Sequence, residues 1–445
     1  MPRLRLPHPI ILLLAGVAVA AALTWILPAG EYARRDDPAT HRSIVVAGTY
    51  HAVPRAPVGP FAAAVSIPRG FIEAGDVIAV VLFVGGAWVV VERLGTLGRI
   101  VAALVSSFRR RGLIAIPVIA AFFTTMGALE NMQEEIIPLV PVLLILGQGL
   151  GIDAVSVVAM SAGAAMIGSA FGPTNPFQAG IAMKLAQLPP GSGFALRFGM
   201  LVAAFALWVG FTMRHAAKTR VALTGDVDDV SSTSISRKDL LVMALVLAPM
   251  AAYVYGSIRL DWGFNELSAG FLIGGALAGL VGGLGVEGTT YAYLEGMQSL
   301  LPAALLIGVA RSISLVMADG RVIDTMLQSL ATPLSHAPTA FAAVLLIPAQ
   351  ALIHVAVPSV SGQAVLTMPV FVPLSDLLGI SRQVTVLGYQ MGAGLCELLT
   401  PTNGALMAVL LAASVPFQRW VKFAAAGAGI VLVVGLAGMA AAARM

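Results

Sequence analysis

The chain has 445 residues, of which 58% are hydrophobic and 11% charged, with a formal net charge of +4 and a mean hydropathy of +0.91. A soluble domain carries roughly 45–50% apolar and about 25% charged residues, so this chain has too little charge to cover a globule in water and lipid must cover much of it. No Lys/Arg tract with interleaved aromatics is present, which speaks against a nucleic-acid partner, and a single cysteine, Cys396, excludes an internal disulfide and a cysteine-built metal site.

The composition therefore predicts an all-α polytopic membrane protein. Pro9–Leu27 follows Arg3 and Arg5 and continues through Trp25, Ile26 and Leu27, which suits an uncleaved span better than a cleaved signal peptide. Gly30–Pro60 is polar and holds the β-prone stretch 43–53, where a small hairpin is expected. Residues 61–75 read as interfacial, Asp76–Leu94 as a span and 97–108 as amphipathic, followed by Arg109, Arg110 and Arg111. Two apolar arms, 113–129 and 136–150, flank ENMQEE at 130–135. A span from 152 meets Pro173-Thr174-Asn175 and resumes at 176–187, and Phe194–Met213 crosses next. The polar stretch 214–238 joins two halves. Beyond it lie spans near 240–256, 265–285 and 299–317, then an amphipathic 319–330. Arms 338–355 and 364–378 flank a short polar tip; 383–399 meets Pro401-Thr402-Asn403 and resumes at 404–415; and 418–441 closes the chain.

The halves repeat. At an offset of 228, PVLLILGQGLGI (141–152) faces PVFVPLSDLLGI (369–380), and the same offset carries Pro173, Thr174 and Asn175 onto Pro401, Thr402 and Asn403. Upstream the offset is 222, where Glu73 meets Glu295, Gly86 meets Gly308, and Gly98-Arg99 meets Gly320-Arg321. Apolar segments match by chance, but Pro, Asn, Glu and Arg at fixed offsets do not. If 113–150 and 338–378 are re-entrant hairpins, the repeats start on opposite faces and are inverted, as in many secondary transporters. Each arm of about 17 residues could also just cross as a full span at about 1.5 Å per residue.

The expected organisation is thus 1–60 for the first span and external segment, 61–213 for repeat one, 214–238 for a cytoplasmic linker, 239–292 for two connecting spans and 293–445 for repeat two. Repeat one comprises a scaffold span, an interfacial helix, hairpin 113–150, broken helix 152–187 and span 194–213. Repeat two comprises span 299–317, an interfacial helix, hairpin 338–378, broken helix 383–415 and span 418–441.

In hydrocarbon an unpaired backbone N–H or C=O costs several kcal/mol, so irregular backbone at depth survives only around a protein-lined cavity. A Pro removes a donor and frees a carbonyl upstream. The freed carbonyls with Thr174, Asn175, Thr402 and Asn403 could clasp a polar solute or replace the water around Na⁺, and the half-helix after each break points its positive end inward, which suits a carboxylate. The plainer alternative is a Pro kink with Thr and Asn bonding neighbouring helices; recurrence at matched repeat positions favours a binding site.

The first tip supplies Glu130, Asn131, Gln133 and Glu134, and an ionisable residue at depth is functional by default. If the arms are full spans, the tip is instead a wet loop. The second tip, 357–363, offers Ser359, Ser361, Gly362 and Gln363. These polar groups are expected to clamp the cargo, with Glu130, Glu134 or Glu397 coupling protons or meeting a substrate amine. Arg311 is expected to pair with a Glu, His354 to be a satisfied buried histidine, Cys396 to be a packing residue, and Asp376 and Lys184 to sit at interfaces.

LTWILPAGEY (23–32), MGALENMQEEIIP with FGPTNPFQAGIA, and above all VPSVSGQAVLTMPVFVPLSDLLGISRQV (357–384) resemble the YfcC family. This is a branch of the four-carbon dicarboxylate anaerobic carrier (DcuC-like) group within the ion transporter superfamily. The resemblance covers nearly the whole chain. It implies a multi-pass carrier of the bacterial inner membrane, a homodimer with a scaffold and a moving transport domain, and an elevator motion. It places substrate and ions between two hairpin tips and two broken helices, here 130–135, 173–176, 358–363 and 401–404. Two places depart from the family pattern: the first tip commonly reads closer to GMAEET, and Glu397 stands where a smaller polar residue is usual. The expected function is Na⁺- or H⁺-coupled secondary transport of a small carboxylate-bearing solute, an amino acid or organic acid. The alternative is a basic amino acid exchanger of the arginine/ornithine type, which the acidic tip suits. A channel or intramembrane enzyme is remote, because no Walker loop, zinc signature or Ser–His pair is present. No cofactor is expected.

Overall fold

A computed structural model describes residues 9–37, 42–100, 103, 109–173, 175–189, 191–221, 235–260 and 262–444. Thr174, most of the amphipathic stretch 97–108 and most of the linker, 222–234, lie outside the described residues.

The apolar runs become helices. Helices α1 (Pro9–Ile26), α2 (Pro60–Glu73) and α3 (Gly75–Arg93) open the chain. Next come α4 (Ala115–Glu130) and α5 (Val140–Gly149), joined through a tight 3₁₀ turn at Glu134–Leu139. Helix α6 (Ala154–Phe171) contains a π turn at Ala159–Gly163; after the break, a second π turn at Pro176–Gly180 leads into α7 (Ile181–Leu185). Helix α8 (Phe194–Lys218) ends the first half. The second half holds α9 (Arg237–Arg259), α10 (Phe264–Gly282), α11 (Gly285–Asp319), α12 (Ile323–Leu334), α13 (Thr339–Ala356), α14 (Val360–Leu377), α15 (Arg382–Glu397), α16 (Gly404–Ala412) and α17 (Phe417–Ala442). Among the described residues ten helices are long and apolar enough to cross a membrane, and side chains such as Leu272, Ile273, Leu277 and Val433 stay exposed as lipid would require.

Two expectations are corrected. The span at 299–317 is the second half of a 35-residue helix, α11, which crosses the expected boundary at 293. Its polar first half packs against a neighbour through small residues: a Cβ on Gly296 would lie 2.4 Å from the Gly85 carbonyl of α3. The stretch 43–53 does not fold on itself. Strand β2 (Arg34–Asp37) pairs with β3 (Arg42–Val45), and β1 (Gly30–Glu31) with β4 (His51–Ala52), two nested antiparallel pairs. They are pinned to α12: the Tyr32 N–H donates to Asp324 Oδ2 at 2.9 Å and Arg34 pairs with Asp324 at 3.0 Å. Burial, with Asp324 beside it, pushes the Tyr32 phenol up to about 12.

Packing separates two helix groups. In one, α3 and α11 pack closely with α1, α2, α9 and α10 around them. In the other, the arms α4–α5 and α13–α14 pack with α6, α15, α8 and α17. The groups meet where α16 lies on α11 and the 134–139 turn lies on α3. Helices α2 and α3 together run antiparallel to α11: from α2, Arg69 pairs with Asp319 and Glu73 with Arg311 at 3.0 Å, and farther along, on α3, the Phe83 carbonyl accepts from the Tyr293 hydroxyl at 2.7 Å. The repeat-matched Glu73 and Glu295 are therefore each held by an arginine of the opposing helix, Arg311 and Arg93.

Candidate functional site

Each pair of arms stops level with a break in its neighbour helix. A Cβ on Gly168 would meet the Thr124 carbonyl at 2.0 Å and one on Gly172 would meet Ala128 Cα at 2.8 Å, so the tip at 131 sits beside 172–175. In the second half, a Cβ on Gly388 would meet Leu346, one on Gly392 would meet Gln350, and Cys396 Sγ donates to the Ala351 carbonyl at 3.3 Å. The tip at 357–359 thus reaches the break at 398–403. The returning arms cross over: the 134–139 turn and α5 pack on α16, whereas α14 packs on α7.

The breaks are capped alike. Asn175 Oδ1 accepts from the Phe177 and Gln178 N–H groups at 3.0 and 2.9 Å, and Asn403 Oδ1 accepts from Leu406 N–H at 3.0 Å. Both asparagines therefore start the second half-helix by satisfying its free donors. The freed carbonyls also find donors. Gln390 Nε2 donates to Gly172 O at 3.1 Å, and Trp420 Nε1 to Leu398 O at 2.8 Å. At the first tip Asn131 takes the left-handed conformation, φ 61°, which Asn tolerates better than most residues. Asn175 Nδ2 holds this tip, donating to Gly127 O at 3.0 Å and Asn131 Oδ1 at 3.2 Å.

Where tips and breaks meet the α2/α3/α11 group there is a cavity of about 410 Å³. The first tip contributes Glu130, Asn131, Gln133 and Glu134; the second Pro358, Ser359, Val360 and Ser361; the second break Glu397, Thr402, Asn403 and Gly404. The opposite wall carries Glu73, Asp76, Phe264, Ile307 and Arg311, and Phe177 lies after the first break. Five carboxylates (Glu73, Asp76, Glu130, Glu134 and Glu397) thus face one guanidinium, Arg311. Gln133 ties the halves: its Nε2 donates to Glu397 Oε2 at 2.7 Å and its Oε1 accepts from Asn403 Nδ2 at 3.1 Å. Glu130 Oε2, buried at the rim, has no hydrogen-bond partner.

Of the expected binding residues, Glu130, Asn131, Gln133, Glu134, Ser359, Ser361, Glu397, Thr402 and Asn403 line this cavity. Three described ones do not. Asn175 is wholly buried behind the first tip as cap and brace. Gln363 turns inward because its amide bonds Gln350 and His354. Gly362 donates its N–H to the Ser359 cap at 3.2 Å and borders a separate hollow with Arg34, Arg321 and Asp324. The Thr402 hydroxyl is engaged by Thr400 at 2.8 Å. No group of three or more His, Cys, Asp or Glu suited to a metal ion occurs among the described residues. Glu73, Asp76, Phe264 and Ile307 were not singled out as site residues from sequence; the repeat marked Glu73, and the other three carried no signal.

The family model of the C4-dicarboxylate anaerobic carrier, DcuC, matches residues 6–443. The chain belongs to the DcuC family. It is a transporter and not an enzyme. A relative in Escherichia coli (strain K12), named "Putative basic amino acid antiporter YfcC", is 31% identical over 385 residues, covering 81% of this chain and 76% of the relative. A Haemophilus influenzae (strain ATCC 51907 / DSM 11121 / KW20 / Rd) protein named only as uncharacterized is 27% identical over 485 residues, covering 96% and 95%. Among solved structures, the Alcanivorax borkumensis YdaH transporter aligns over 98% of each chain at a TM-score of 0.45 and 18% identity. Neisseria gonorrhoeae MtrF aligns over 98% of this chain and 94% of its own at a TM-score of 0.42 and 15% identity. The DcuC-family chain is thus a multi-pass secondary transporter with bacterial relatives, and its cargo is a small molecule.

Proposed function

We propose that this protein is an ion-coupled antiporter of the bacterial inner membrane whose cargo is a basic amino acid, held in the cavity between the two tips and the second break. The observation that carries this reading is the acidic make-up of the cavity wall: five carboxyl groups, each able to ionise against an incoming cation, and one arginine. Two unit charges about 4 Å apart interact by about 4 kcal/mol at an effective dielectric constant of about 20, so this lining favours a cationic side chain and disfavours a dianion. Arg311, open to the cavity and paired with Glu73 at 3.0 Å, is the group for the α-carboxylate. The name of the Escherichia coli relative points the same way.

The reading includes two inverted repeats with re-entrant hairpins. It is supported by arms that end level with the breaks, by return arms that pack on the opposite repeat's half-helix, and by the antiparallel α3 and α11. An elevator motion in a homodimer fits a cavity that lies between two helix groups, with the α2/α3/α11 group as scaffold.

The test is counterflow in liposomes. Protein loaded with unlabelled arginine should take up labelled arginine, ornithine or lysine, and succinate should neither exchange nor compete. Exchange of succinate without exchange of arginine would replace this reading with C4-dicarboxylate transport.

A further inference from the structure

Behind the cavity lies a polar cluster that binding a cation does not by itself require. His354, on α13, is wholly buried, and its Nδ1 lies 2.8 Å from Gln363 Oε1. The Gln363 amide is oriented by its own Nε2, which donates to Gln350 O at 2.7 Å and Gln350 Oε1 at 2.8 Å. An amide oxygen only accepts, so His354 Nδ1 carries the N–H and Nε2 of the neutral ring is a bare lone pair. That Nε2 has no hydrogen-bond partner and lies 3.8 Å from Glu397 Oε1. Two acceptors face each other across a buried gap, and only a proton on one of them turns this contact into an attraction. The other Glu397 oxygen accepts from Gln133 at the cavity wall.

We infer that Glu397 and His354 hold one exchangeable proton between Oε1 and Nε2, and that this proton and the cationic end of the cargo compete for the Glu397 carboxylate. The inference rests on the cation-site reading above and adds the coupling ion to it. When an ammonium or guanidinium enters, its N–H groups donate to Glu397 in its ionised form, and the proton leaves through the cavity. When the cargo departs, one proton returns. One positive charge replaces another at the carboxylate in each half-cycle, which is proton–cargo antiport. The groups around Glu397 are Glu134 from the first tip, His354 from α13 and neighbouring Cys396. Glu130 stands on the same tip as Glu134, and across the cavity stand Asp76 and the Glu73–Arg311 pair. Apart from Arg311, already paired, the ionised members of this set are acidic, so the site takes a positive charge of one kind or the other. His354 is a positioning residue here; Glu397 is the carrier of the proton.

Arginine affinity of the purified wild type should weaken by about tenfold per pH unit as pH falls through the range where the shared proton binds. In H354N and H354Q, which keep the Glu397 carboxyl but lose the facing Nε2, the pH range of this dependence should shift, with arginine counterflow retained and pH-gradient-driven arginine accumulation at neutral pH reduced. In the empty protein, pH-difference infrared spectra should show a protonated-carboxyl band that is absent from E397Q and displaced in the histidine variants. A wild-type affinity that does not vary with pH, or a band and an accumulation unchanged in both histidine variants, would overturn the inference. A band that behaves as described in a protein that binds no arginine would overturn the cargo reading alone and uphold the shared proton.

Discussion

Gln133 shows how one side chain joins the two halves of the site. It donates to Glu397 at 2.7 Å, accepts from Asn403 at 3.1 Å, and is almost fully buried. Replacing it with leucine keeps the volume but strands both partners, at a cost of about 1–3 kcal/mol for each buried group left unpaired. Q133L should therefore unfold at lower temperature and bind arginine at least about tenfold more weakly, since about 1.4 kcal/mol is tenfold; thermal melts with and without arginine measure both. An unchanged affinity would mean that the tip does not help shape the cargo site. At this scale the sequence was only partly informative. Glu130, Gln133 and Glu397 stand out as polar letters in apolar runs, but composition cannot tell which way a tip residue turns. Ser359 faces the cavity, whereas Gln363, four residues on, is drawn inward by Gln350 and His354.

At the scale of elements, the depth of each tip is set by glycines that let backbones touch. Gly127 and Gly168 bring α4 and α6 so close that a Cβ on either would lie 2.0 Å from a carbonyl oxygen of the other helix. Because backbone is on the far side of the contact, the helices must separate, and overpacking of this kind costs about 1–3 kcal/mol or more. G168A should lower solubilised yield and melting temperature and lose most arginine counterflow. G199A, on α8 with nothing within 4 Å of the added carbon, should retain both. Equal behaviour of the two variants would refute close α4–α6 packing as the device that sets the tip. The breaks and arms were legible because proline and asparagine are poor letters for a membrane helix and because they recur at a fixed offset. The polar start of α11 was not legible as helix. Its run 285–295 lacks the apolar content of a span, and contact with α3 through Gly296 and Tyr293 and with α10 through Thr289 makes it a buried surface.

At the scale of the molecule, the cavity has one wall on each helix group, so cargo bound there touches both, and a relative slide of the groups would carry the tips and breaks past α11. That motion can be stopped at one point. An added Cβ at Gly404, the first residue of α16, would lie 3.1 Å from Ala310 Cβ of α11, a few tenths of an ångström short of the ~3.5–4.5 Å Cβ separation found in disulfides. In a C396A background, which removes the one native thiol, the pair A310C and G404C should crosslink on mild oxidation. The slide predicts that the oxidised protein still folds but exchanges no arginine, and that reduction restores exchange. Reduced protein is the control for the substitutions themselves, since both positions border the cavity. If instead the α2/α3/α11 group and the hairpin group move as one body and access alternates only by local opening of the tips, the crosslinked protein will keep its counterflow, because neither tip is tethered by this bond. Full transport in the oxidised state would therefore exclude the elevator while leaving the cation site in place.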